Sequence, residues 1–328
     1  MASPETFERL QAGASEAFAL LAGMQLEVFT HLADGPREAG DLAASLGVAE
    51  ERLSRLLYAL TICGLLERRG GGFANGPEAA TFLVKGLPRY IGGAHELLSQ
   101  LWHADLSTAQ SIRSGRPAAL HDFASASDKE MAAMLRGMHD FAVASGRDLL
   151  RQFDFSGCGS VVDVGGGSGG LVAALCDAHP AMRGTLFDLP RTVALAEVIL
   201  RETPGGDRVA IEAGDILTGR PKETHDAAVL RALVQVLAPA DAARAIANAA
   251  EALRPGGTIA IIGAGILDDD RMGPKSAVFF NLTFMNLYRA GASYTEAQHA
   301  EWLSAAGCDG AKRIVLRSGS SIILAKKR

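Results

Sequence analysis

The sequence contains little cysteine, few aromatic residues and no long apolar run. Its cysteines share no metal-ligand spacing and are interpreted as reduced thiols of a cytoplasmic protein: Cys63, Cys158, Cys176 and Cys308. The eight histidines are scattered, so we expect no metal site. No window approaches about 18 consecutive apolar residues, and MASPETFERLQAG lacks the regions of a signal peptide. We therefore expect no membrane association.

Basic charge is not in excess either. The chain has 32 Lys and Arg against 37 Asp and Glu, for a net charge of −5. Nucleic-acid binding depends on clustered Lys and Arg, so this balance argues against a nucleic-acid partner. Apolar residues make up 48% of the 328 residues, enough for a large core. The length predicts two modest domains, or one domain with a large appendage.

The first hundred residues predict helices and a hairpin. Apolar residues spaced three or four apart predict a helix over 5–32. Residues 41–79 then predict a helix, a break at Gly47, a second helix and a hairpin through 70–72, which is the order of a winged helix. Such modules often bind DNA through the second helix. Here acidic and basic residues balance at 50–55, so we favour a dimerisation or packing module over a transcriptional regulator.

The rest of the chain changes pattern twice. Residues 91–152 predict helices interrupted by a loop, GRPAALHDFAS, and from residue 158 strands alternate with helices. Alternation predicts a mostly parallel sheet with helices on both faces, and the last strand pair predicts an antiparallel edge. The predicted fold class is α/β, a Rossmann-like domain behind a mainly helical winged-helix domain. The predicted segments are a dimerisation domain, a pocket-lining helical linker and a cofactor-binding catalytic domain: 1–100, 101–152 and 153–328.

A glycine loop with acidic residues predicts a ligand site. The segment VVDVGGGSGG follows a strand, opens a helix and places Asp163 at the carboxyl edge of the sheet, where ligands bind in such folds. Asp188 ends the next strand, where a carboxylate can accept from ribose hydroxyls. Asp215 ends the third strand, where it can accept from an adenine amino group with Ile216 against the ring. One such acid fits helix capping or loop bonding; three at successive strand ends predict an adenosine ligand. No phosphate-binding Lys motif is present.

The motifs VVDVGGGSGG, FDLP, AGDIL and ALRPGG, in this order behind a winged-helix module, resemble the S-adenosylmethionine-dependent small-molecule O-methyltransferases of plants and bacteria. The resemblance covers nearly all of the chain. It implies S-adenosyl-L-methionine as cofactor, a small-molecule substrate, and a homodimer in which partner helices help close the pocket. It also implies that Gly165 and Gly167 border the methionine part of the cofactor and that Asp188 and Leu189 hold its ribose. By the same resemblance, Asp215 and Ile216 contact the adenine, and Arg231 lies beside the cofactor.

The sequence departs from that family at the chemistry. The family's fourth-strand motif reads Arg/Lys-x-x-Leu-His-Asp-Trp, whereas this chain has RALVQVL with Gln235 at the histidine position. The acid that orients the histidine is replaced by Gly263 or Ala264, and a second acid by Ser293. The whole histidine unit is therefore missing from the predicted alignment.

A missing base has a chemical meaning for methyl transfer. An oxygen nucleophile must lose a proton, and a histidine base contributes roughly 10²–10⁴ in rate. A thioether sulfur, or a nitrogen with a free lone pair, has no proton to lose, so alignment of the reacting atoms supplies most of the effect. Gln235 does not titrate but can hydrogen-bond a substrate. The resemblance extends to phenazine N-methyltransferases and to the thioether S-methyltransferases of dimethylsulfoniopropionate synthesis.

We therefore predict S-methylation of a 4-methylthio-2-hydroxybutyrate-like acid. The alternatives are N-methylation of a heterocycle, O-methylation with His139 as base, and a non-methylating cofactor-binding relative such as a hydroxylase or pericyclic catalyst. The catalytic candidates are thus Gln235 and His139. Substrate contacts are predicted from the helices that the family uses, although core packing explains the aromatic ones equally well: Trp102, His103, Phe284, Met285, Tyr288 and Tyr294.

Overall fold

The computed structural model describes residues 3–87, 89–121 and 125–328. These residues form two compact units, one extending to Gln100 and one beginning at Leu101. The predicted linker 101–152 falls in the second unit, and the predicted loop through 115–125 lies partly outside the described residues. Within the described ranges, no helix is both long and apolar enough to cross a membrane.

The first unit is a winged helix extended at both ends. Its elements, in chain order, are α1 (Glu5–Gln25), α2 (Val28–His31), α3 (Ala39–Leu46), α4 (Glu50–Ile62), β1 (Leu66–Arg69), β2 (Gly72–Asn75) and α5 (Pro77–Phe82), followed by α6 (His95–Asp105), which runs into the second unit. The predicted single helix over 5–32 is wrong, because Glu27 adopts φ 53° and separates α1 from α2. Gly47 ends α3 in the left-handed conformation that glycine favours. Strands β1 and β2 pair antiparallel.

The second unit alternates strands and helices. After α7 (Thr108–Ser114) and α8 (Asp128–Gln152) its elements are β3 (Ser160–Val164), α9 (Gly170–Ala178), β4 (Arg183–Asp188), α10 (Pro190–Arg201), β5 (Val209–Ala213), β6 (His225–Arg231), α11 (Pro239–Glu251), β7 (Leu253–Gly263), β8 (Ile266–Leu267), α12 (Lys275–Leu287), β9 (Tyr294–Thr295), α13 (Glu296–Ala305), β10 (Cys308–Val315) and β11 (Ser321–Lys327).

The main sheet has seven strands in the order β10, β11, β7, β6, β3, β4, β5. Strands β7, β6, β3, β4 and β5 are parallel, whereas β11 pairs antiparallel with both β7 and β10. The predicted parallel sheet with an antiparallel edge is therefore confirmed. Strand order reverses beside β3, whose neighbours are β4 and β6. The carboxyl ends of the strands at such a reversal leave a crevice for a ligand.

The core explains why β3 lies at the centre of this sheet. Successive side chains of a strand face opposite sides, and both sides of β3 are covered by helices. Val162 packs into the cluster that contains Ile246 of α11, and Val161 into the one that contains Leu171 of α9. Each buried valine contributes roughly 1.5–3 kcal/mol. This packing fixes the position of Asp163, which is the next residue of the strand.

Candidate active site

The glycine loop lies between β3 and α9. Gly165, Gly167 and Gly169 adopt φ of 64°, 59° and 72°, a region that other residues rarely occupy. A Cβ atom at Gly166 would lie 2.5 Å from Cγ of Asp163. The loop therefore closes directly over the Asp163 carboxyl group and leaves a side-chain-free cradle at the crevice.

Asp163 is the most unusual ionisable group of the site. It has no exposed surface, and neither of its carboxyl oxygens has a hydrogen-bond partner in the described parts of the chain. Burial raises the pKa of Asp163 to about 7, although the nearby Arg231 guanidinium opposes this rise. A cationic ligand group at the loop, such as the ammonium of an amino-acid moiety, would favour the ionised form of the Asp163 carboxyl group.

Asp188 ends β4 beside the glycine loop. Its Oδ2 accepts the Gly167 N–H at 2.8 Å, and its Oδ1 accepts the Leu189 N–H at 2.7 Å. Burial raises the pKa of this carboxyl, and the two backbone bonds counteract that rise. Each carboxylate oxygen can accept more than one hydrogen bond, so the pair can still receive two ribose hydroxyls. Leu189, about half exposed, borders the same position.

Asp215 does not end a strand as predicted. Strand β5 stops at Ala213, which pairs with Asp188, the last residue of β4. At the next residue, a Cβ added to Gly214 would lie 2.4 Å from the Phe187 ring. Asp215 lies in the following turn, where its Oδ1 accepts the Leu217 N–H at 2.9 Å. Both it and the buried Ile216 remain at the carboxyl edge of the sheet. Their adenine contacts stay a prediction.

Arg231 ends β6 and links the cofactor side to the acceptor side. Its Nε donates to Ser145 Oγ at 2.9 Å, and burial lowers its pKa while Asp163 opposes that shift. The next residue, Ala232, adopts φ 55°, which costs on the order of 1 kcal/mol for a non-glycine residue. The chain thereby turns sharply, and Leu233 packs on Gly165, whose Cβ would lie 3.0 Å from both Leu233 methyl groups.

Gln235 lies on the short 3-10 helix that follows this turn. Its Oε1 accepts the Gly265 N–H at 3.1 Å. Because that backbone group is a donor, the facing atom is the amide oxygen, and the NH₂ group is turned away. A Cβ atom added to Gly263 would lie 2.6 Å from Oε1 of Gln235, and one added to Gly265 would lie 3.0 Å from the same oxygen. The two glycines thus form a notch that holds the glutamine side chain, with the Phe284 ring beside it.

Ser293 occupies the position of the family's second acid. It is buried. Its backbone N–H donates to Asn281 Oδ1 at 2.8 Å, and its hydroxyl donates to the Ala277 carbonyl at 3.2 Å, so both donors are already used within the protein. Gly263 and Ala264 carry no ionisable group. The three positions where the resemblance placed a histidine and its acids therefore hold only groups that do not titrate near neutral pH.

His139 packs beneath the glycine loop. The Thr203 hydroxyl donates to the Ile199 carbonyl at 2.7 Å, so it accepts from His139 Nε2–H at 3.2 Å. His139 Nδ1 then accepts from the Ser168 hydroxyl at 3.0 Å, a tautomer assigned from these bonds. Burial lowers the His139 pKa. Both ring nitrogens are thus engaged with protein, which favours a supporting role, and the predicted role as base stays untested.

The structure brings forward His121, which the sequence reasoning did not single out. Its backbone N–H donates to the Leu287 carbonyl at 2.9 Å, and the centroid of its ring lies 6.1 Å from that of the Tyr288 ring. Burial lowers the His121 pKa. It borders a cleft of about 290 Å³ beside the Gln235 turn, lined by Leu120, His121, Val236, Leu237, Ala238, Asp241, Tyr288, Arg289 and Ala290. Only the fold reveals this neighbourhood, because the loop sequence around His121 carries no motif.

The other predicted substrate residues divide into two groups. The rings of Phe284, on α12, and Tyr288, just after it, are tilted by 47° with 6.0 Å between centroids. Phe284 lies beside the Gln235 notch, and Tyr288 lines the cleft. Tyr294 is only 4% exposed, and its hydroxyl donates to the Leu237 carbonyl at 2.5 Å, so it faces the core. Trp102 and Met285 are half-buried and His103 is exposed. Their substrate contacts stay predictions.

A larger cleft of about 570 Å³ lies at the opposite, amino edge of the sheet. Its arginines include Arg254, paired with Asp226, and Arg208, which lies 3.6 Å from Asp207. Size alone does not make this the active site, since ligands of parallel sheets bind at the carboxyl edge, where the glycine loop is. No group of three metal-ligating side chains is present within the ranges that the structure describes.

Comparison with known proteins agrees with this geometry. The family model of the O-methyltransferase domain matches residues 110–309, and that of the O-methyltransferase dimerisation domain matches residues 9–85. The 3-hydroxy-5-methyl-1-naphthoate 3-O-methyltransferase of Streptomyces sahachiroi is 29% identical over 321 residues, 95% of this chain and 91% of that protein. The N,N-dimethyltransferase OxyT of Streptomyces rimosus is 32% identical over 270 residues, 80% of this chain and 78% of that protein.

The fold comparison points the same way. Human N-acetylserotonin methyltransferase, solved in complex with S-adenosylmethionine, superposes with a TM-score of 0.84 at 23% identity, covering 100% of this chain and 99% of that one. The glycine cradle, the orphaned Asp163 carboxyl and the Asp188 carboxylate suit the same cofactor. The chain therefore belongs to the O-methyltransferase family with an amino-terminal dimerisation domain and is an S-adenosylmethionine-dependent small-molecule methyltransferase.

Proposed function

We propose that this enzyme methylates a small molecule at an atom that has no proton to lose before it attacks the methyl group, first of all the thioether sulfur of a methylthio acid. The observation that supports this proposal is Gln235. It stands where the family resemblance places the base, and its amide oxygen is held by the Gly265 N–H. A side chain that does not titrate, seated in a notch of two glycines, suits binding rather than proton removal.

The cofactor supplies an electrophilic methyl group when it is bound. The chain's own residues hold and orient it: the glycine loop leaves room for its methionine portion, and Asp188 offers two carboxylate oxygens to the ribose. Leu233 packs on Gly165, so the turn that carries Gln235 begins against the cofactor loop. This arrangement supports an acceptor position next to the cofactor, where alignment of the reacting atoms would provide most of the acceleration.

A methylthio acid also needs partners for its carboxylate. Arg289 lines the cleft. The Gln235 NH₂ group, turned away from the Gly265 N–H, is the second donor that we assign to the carboxylate. Charge-assisted hydrogen bonds of this kind are stronger than neutral ones. Phe284 and Tyr288 add an apolar wall that suits a methylthio group. These features favour a short acid with an apolar end.

Methylation of a phenolic or other oxygen is the second candidate. It is favoured by His121, an imidazole at the same cleft, and by relatives whose names describe O-methyltransferases. Methylation of nitrogen is a variant of the lead, because a neutral nitrogen needs no base, and one relative is named an N,N-dimethyltransferase. The proton requirement therefore separates the candidates.

The assembly proposed with this function is a homodimer. The dimerisation-domain match covers residues 9–85, and helix α1 exposes large apolar side chains such as Phe7 and Leu10. Exposed apolar surface of this kind marks a protein interface.

The test is turnover to S-adenosylhomocysteine with methylthio acids, aromatic nitrogen heterocycles and phenols, each measured across pH, for the wild type, Gln235→Ala and His121→Phe. We expect turnover with a methylthio acid or heterocycle at a rate that is flat across neutral pH. Gln235→Ala should lower kcat/KM about 10- to 100-fold, as expected for a lost bond to a charged group. His121→Phe should leave the pH profile flat.

Turnover of phenols alone, rising through a pKa of roughly 6–7 and losing that rise in His121→Phe, would contradict the proposal. Asp177 is exposed, so Asp177→Ala serves as the matched surface control and should change neither kcat/KM nor the pH profile.

A further inference from the structure

Three hydrogen bonds join Gln235 to a buried tyrosine in a closed ring. The Tyr294 hydroxyl donates to the Leu237 carbonyl at 2.5 Å, and the Tyr294 N–H donates to the Gly265 carbonyl at 3.1 Å. The Gly265 N–H in turn donates to Gln235 Oε1 at 3.1 Å. Leu237 is two residues from Gln235, so the chain itself completes the ring. One tyrosine thereby holds both the backbone after Gln235 and the partner of its side chain.

Glycines shape the space around this ring. A Cβ at Gly263 would meet Gln235 Oε1 at 2.6 Å, one at Gly265 would meet Oε1 at 3.0 Å, and one at Gly291 would meet the Gln235 carbonyl oxygen at 2.8 Å. None of the three has a left-handed φ. Glycine is therefore needed at these positions because a side chain would not fit, and not because of the backbone conformation. Three strand-end and loop segments therefore leave room for one glutamine in one orientation.

We propose that Tyr294 is a positioning residue that fixes the Gln235 amide with its oxygen on Gly265 and its NH₂ group toward the acceptor. The selected acceptors are then those that carry a hydrogen-bond-accepting oxygen, such as a carboxylate or hydroxyl, near the atom that receives the methyl group. This inference rests on the proposed function for its substrate class, whereas the ring of hydrogen bonds stands on the geometry alone.

The Gln235 amide has its oxygen end on the Gly265 N–H, which leaves its NH₂ end for another partner. A primary amide has a donor end and an acceptor end of nearly equal size, so only its partners decide its orientation. If the ring is opened at Tyr294, the Leu237 carbonyl loses its donor and the 3-10 turn is less constrained. A reversed amide would present its oxygen to an anionic acceptor and repel it. Selection thus depends on a hydroxyl that does not contact the substrate.

The test variant is Tyr294→Phe, which removes one hydroxyl. Its ring should stay in place, because it packs edge-on against Trp302 with 5.0 Å between centroids. The matched control is Ser293→Ala, which removes a buried hydroxyl that donates to the Ala277 carbonyl. Both variants are compared for hydrogen exchange of the Gly265 amide by NMR, for S-adenosylhomocysteine affinity, and for KM and kcat with 4-methylthio-2-hydroxybutyrate or whichever acceptor of the panel is turned over.

We expect Tyr294→Phe to lower Gly265 amide protection about 10-fold and to raise the acceptor KM about 10-fold, with cofactor affinity unchanged. Ser293→Ala should change neither. In a Gln235→Ala background, Tyr294→Phe should have no further effect on KM, since the two residues act as one unit.

Unchanged Gly265 protection, or an effect of Tyr294→Phe that persists undiminished without Gln235, would overturn the positioning role. These outcomes are distinct from failure of the proposed function, which would appear as turnover confined to phenols. The exchange measurement needs no acceptor, so it decides the ring even in that case.

Discussion

The two halves of this active site are built in different ways. On the cofactor side, Asp163 and Asp188 come from the ends of adjacent parallel strands, and the glycine loop between β3 and α9 joins them. On the acceptor side, Gln235, Gly265 and Tyr294 come from three segments that meet through single hydrogen bonds. One half follows from the sheet; the other depends on how loops fit above it.

The halves also differ in where they carry charge. The cofactor side holds buried carboxylates whose pKa values are raised by burial, so it is poised to gain from a cationic ligand. The acceptor side holds an amide and aromatic rings. His121 is a half-buried imidazole at the cleft, and burial lowers its pKa. Under the proposed function, the cofactor is held by the first half and the acceptor is selected by the second.

The largest expected effect tests the charge of the cofactor side. Burial raises the pKa of Asp163 from its ordinary value of 3.8 to about 7, so between these values the folded state binds more protons than the unfolded state. Stability of the cofactor-free protein should therefore fall as pH rises from about 4 to 7, by on the order of 4 kcal/mol. Asp163→Asn should abolish this slope and unfold at a higher temperature at pH 8.

Thermal unfolding of both proteins across that pH range measures the effect. If the unfolding temperatures of wild type and Asp163→Asn change with pH in the same way, the pKa of the Asp163 carboxyl group does not differ between the folded and unfolded states. The two halves of the site would then not differ in their electrostatics as described above.

The next largest effect separates cofactor binding from acceptor binding. Asp188→Ala removes the acceptor of the Gly167 N–H together with the carboxylate offered to the ribose. Affinity for S-adenosylhomocysteine should fall about 100-fold, the loss of roughly 3 kcal/mol expected when charged hydrogen bonds disappear. Titration calorimetry measures this, with Asp177→Ala as an exposed control. Retention of affinity within a factor of three would remove Asp188 from the site.

The smallest of the three effects lies on the acceptor side. Gly263→Ala would place a Cβ 2.6 Å from Gln235 Oε1, so the amide must move, and the acceptor KM should rise about 10-fold. Cofactor affinity should be unchanged because the cradle is untouched. Gly157→Ala, where a Cβ meets nothing within 4 Å, is the matched control. An equal loss of cofactor affinity in Gly263→Ala would mean that the halves are not separable.

Sequence reasoning succeeded where structure is local. Strand, glycine loop and helix follow one another in VVDVGGGSGG, so the position of Asp163 at the carboxyl edge could be predicted from the order of residues. The same reasoning placed the end of the third strand two residues too late at Asp215, because β5 stops at Ala213, where its pairing partner β4 ends at Asp188. It also joined α1 to α2, since nothing in the apolar spacing reveals the left-handed φ of Glu27.

The acceptor side was predicted only as residue types. The sequence shows that position 235 is glutamine, but its orientation depends on a backbone donor at Gly265, 30 positions away. His121 was missed because its role comes from a bond to Leu287 across a long separation. Tyr294 was expected at the substrate and instead donates into the backbone beside Gln235.

The sequence by itself thus determined the fold class, the cofactor and the absence of a histidine at position 235, because these follow from short-range patterns of apolar residues, glycines and acids. The tertiary structure alone decided which end of the Gln235 amide meets the Gly265 N–H and which imidazole borders the neighbouring cleft. The reason is physical: an amide's orientation and a cleft's walls are set by hydrogen bonds and close contacts between segments far apart in the chain, and no local pattern encodes those distances.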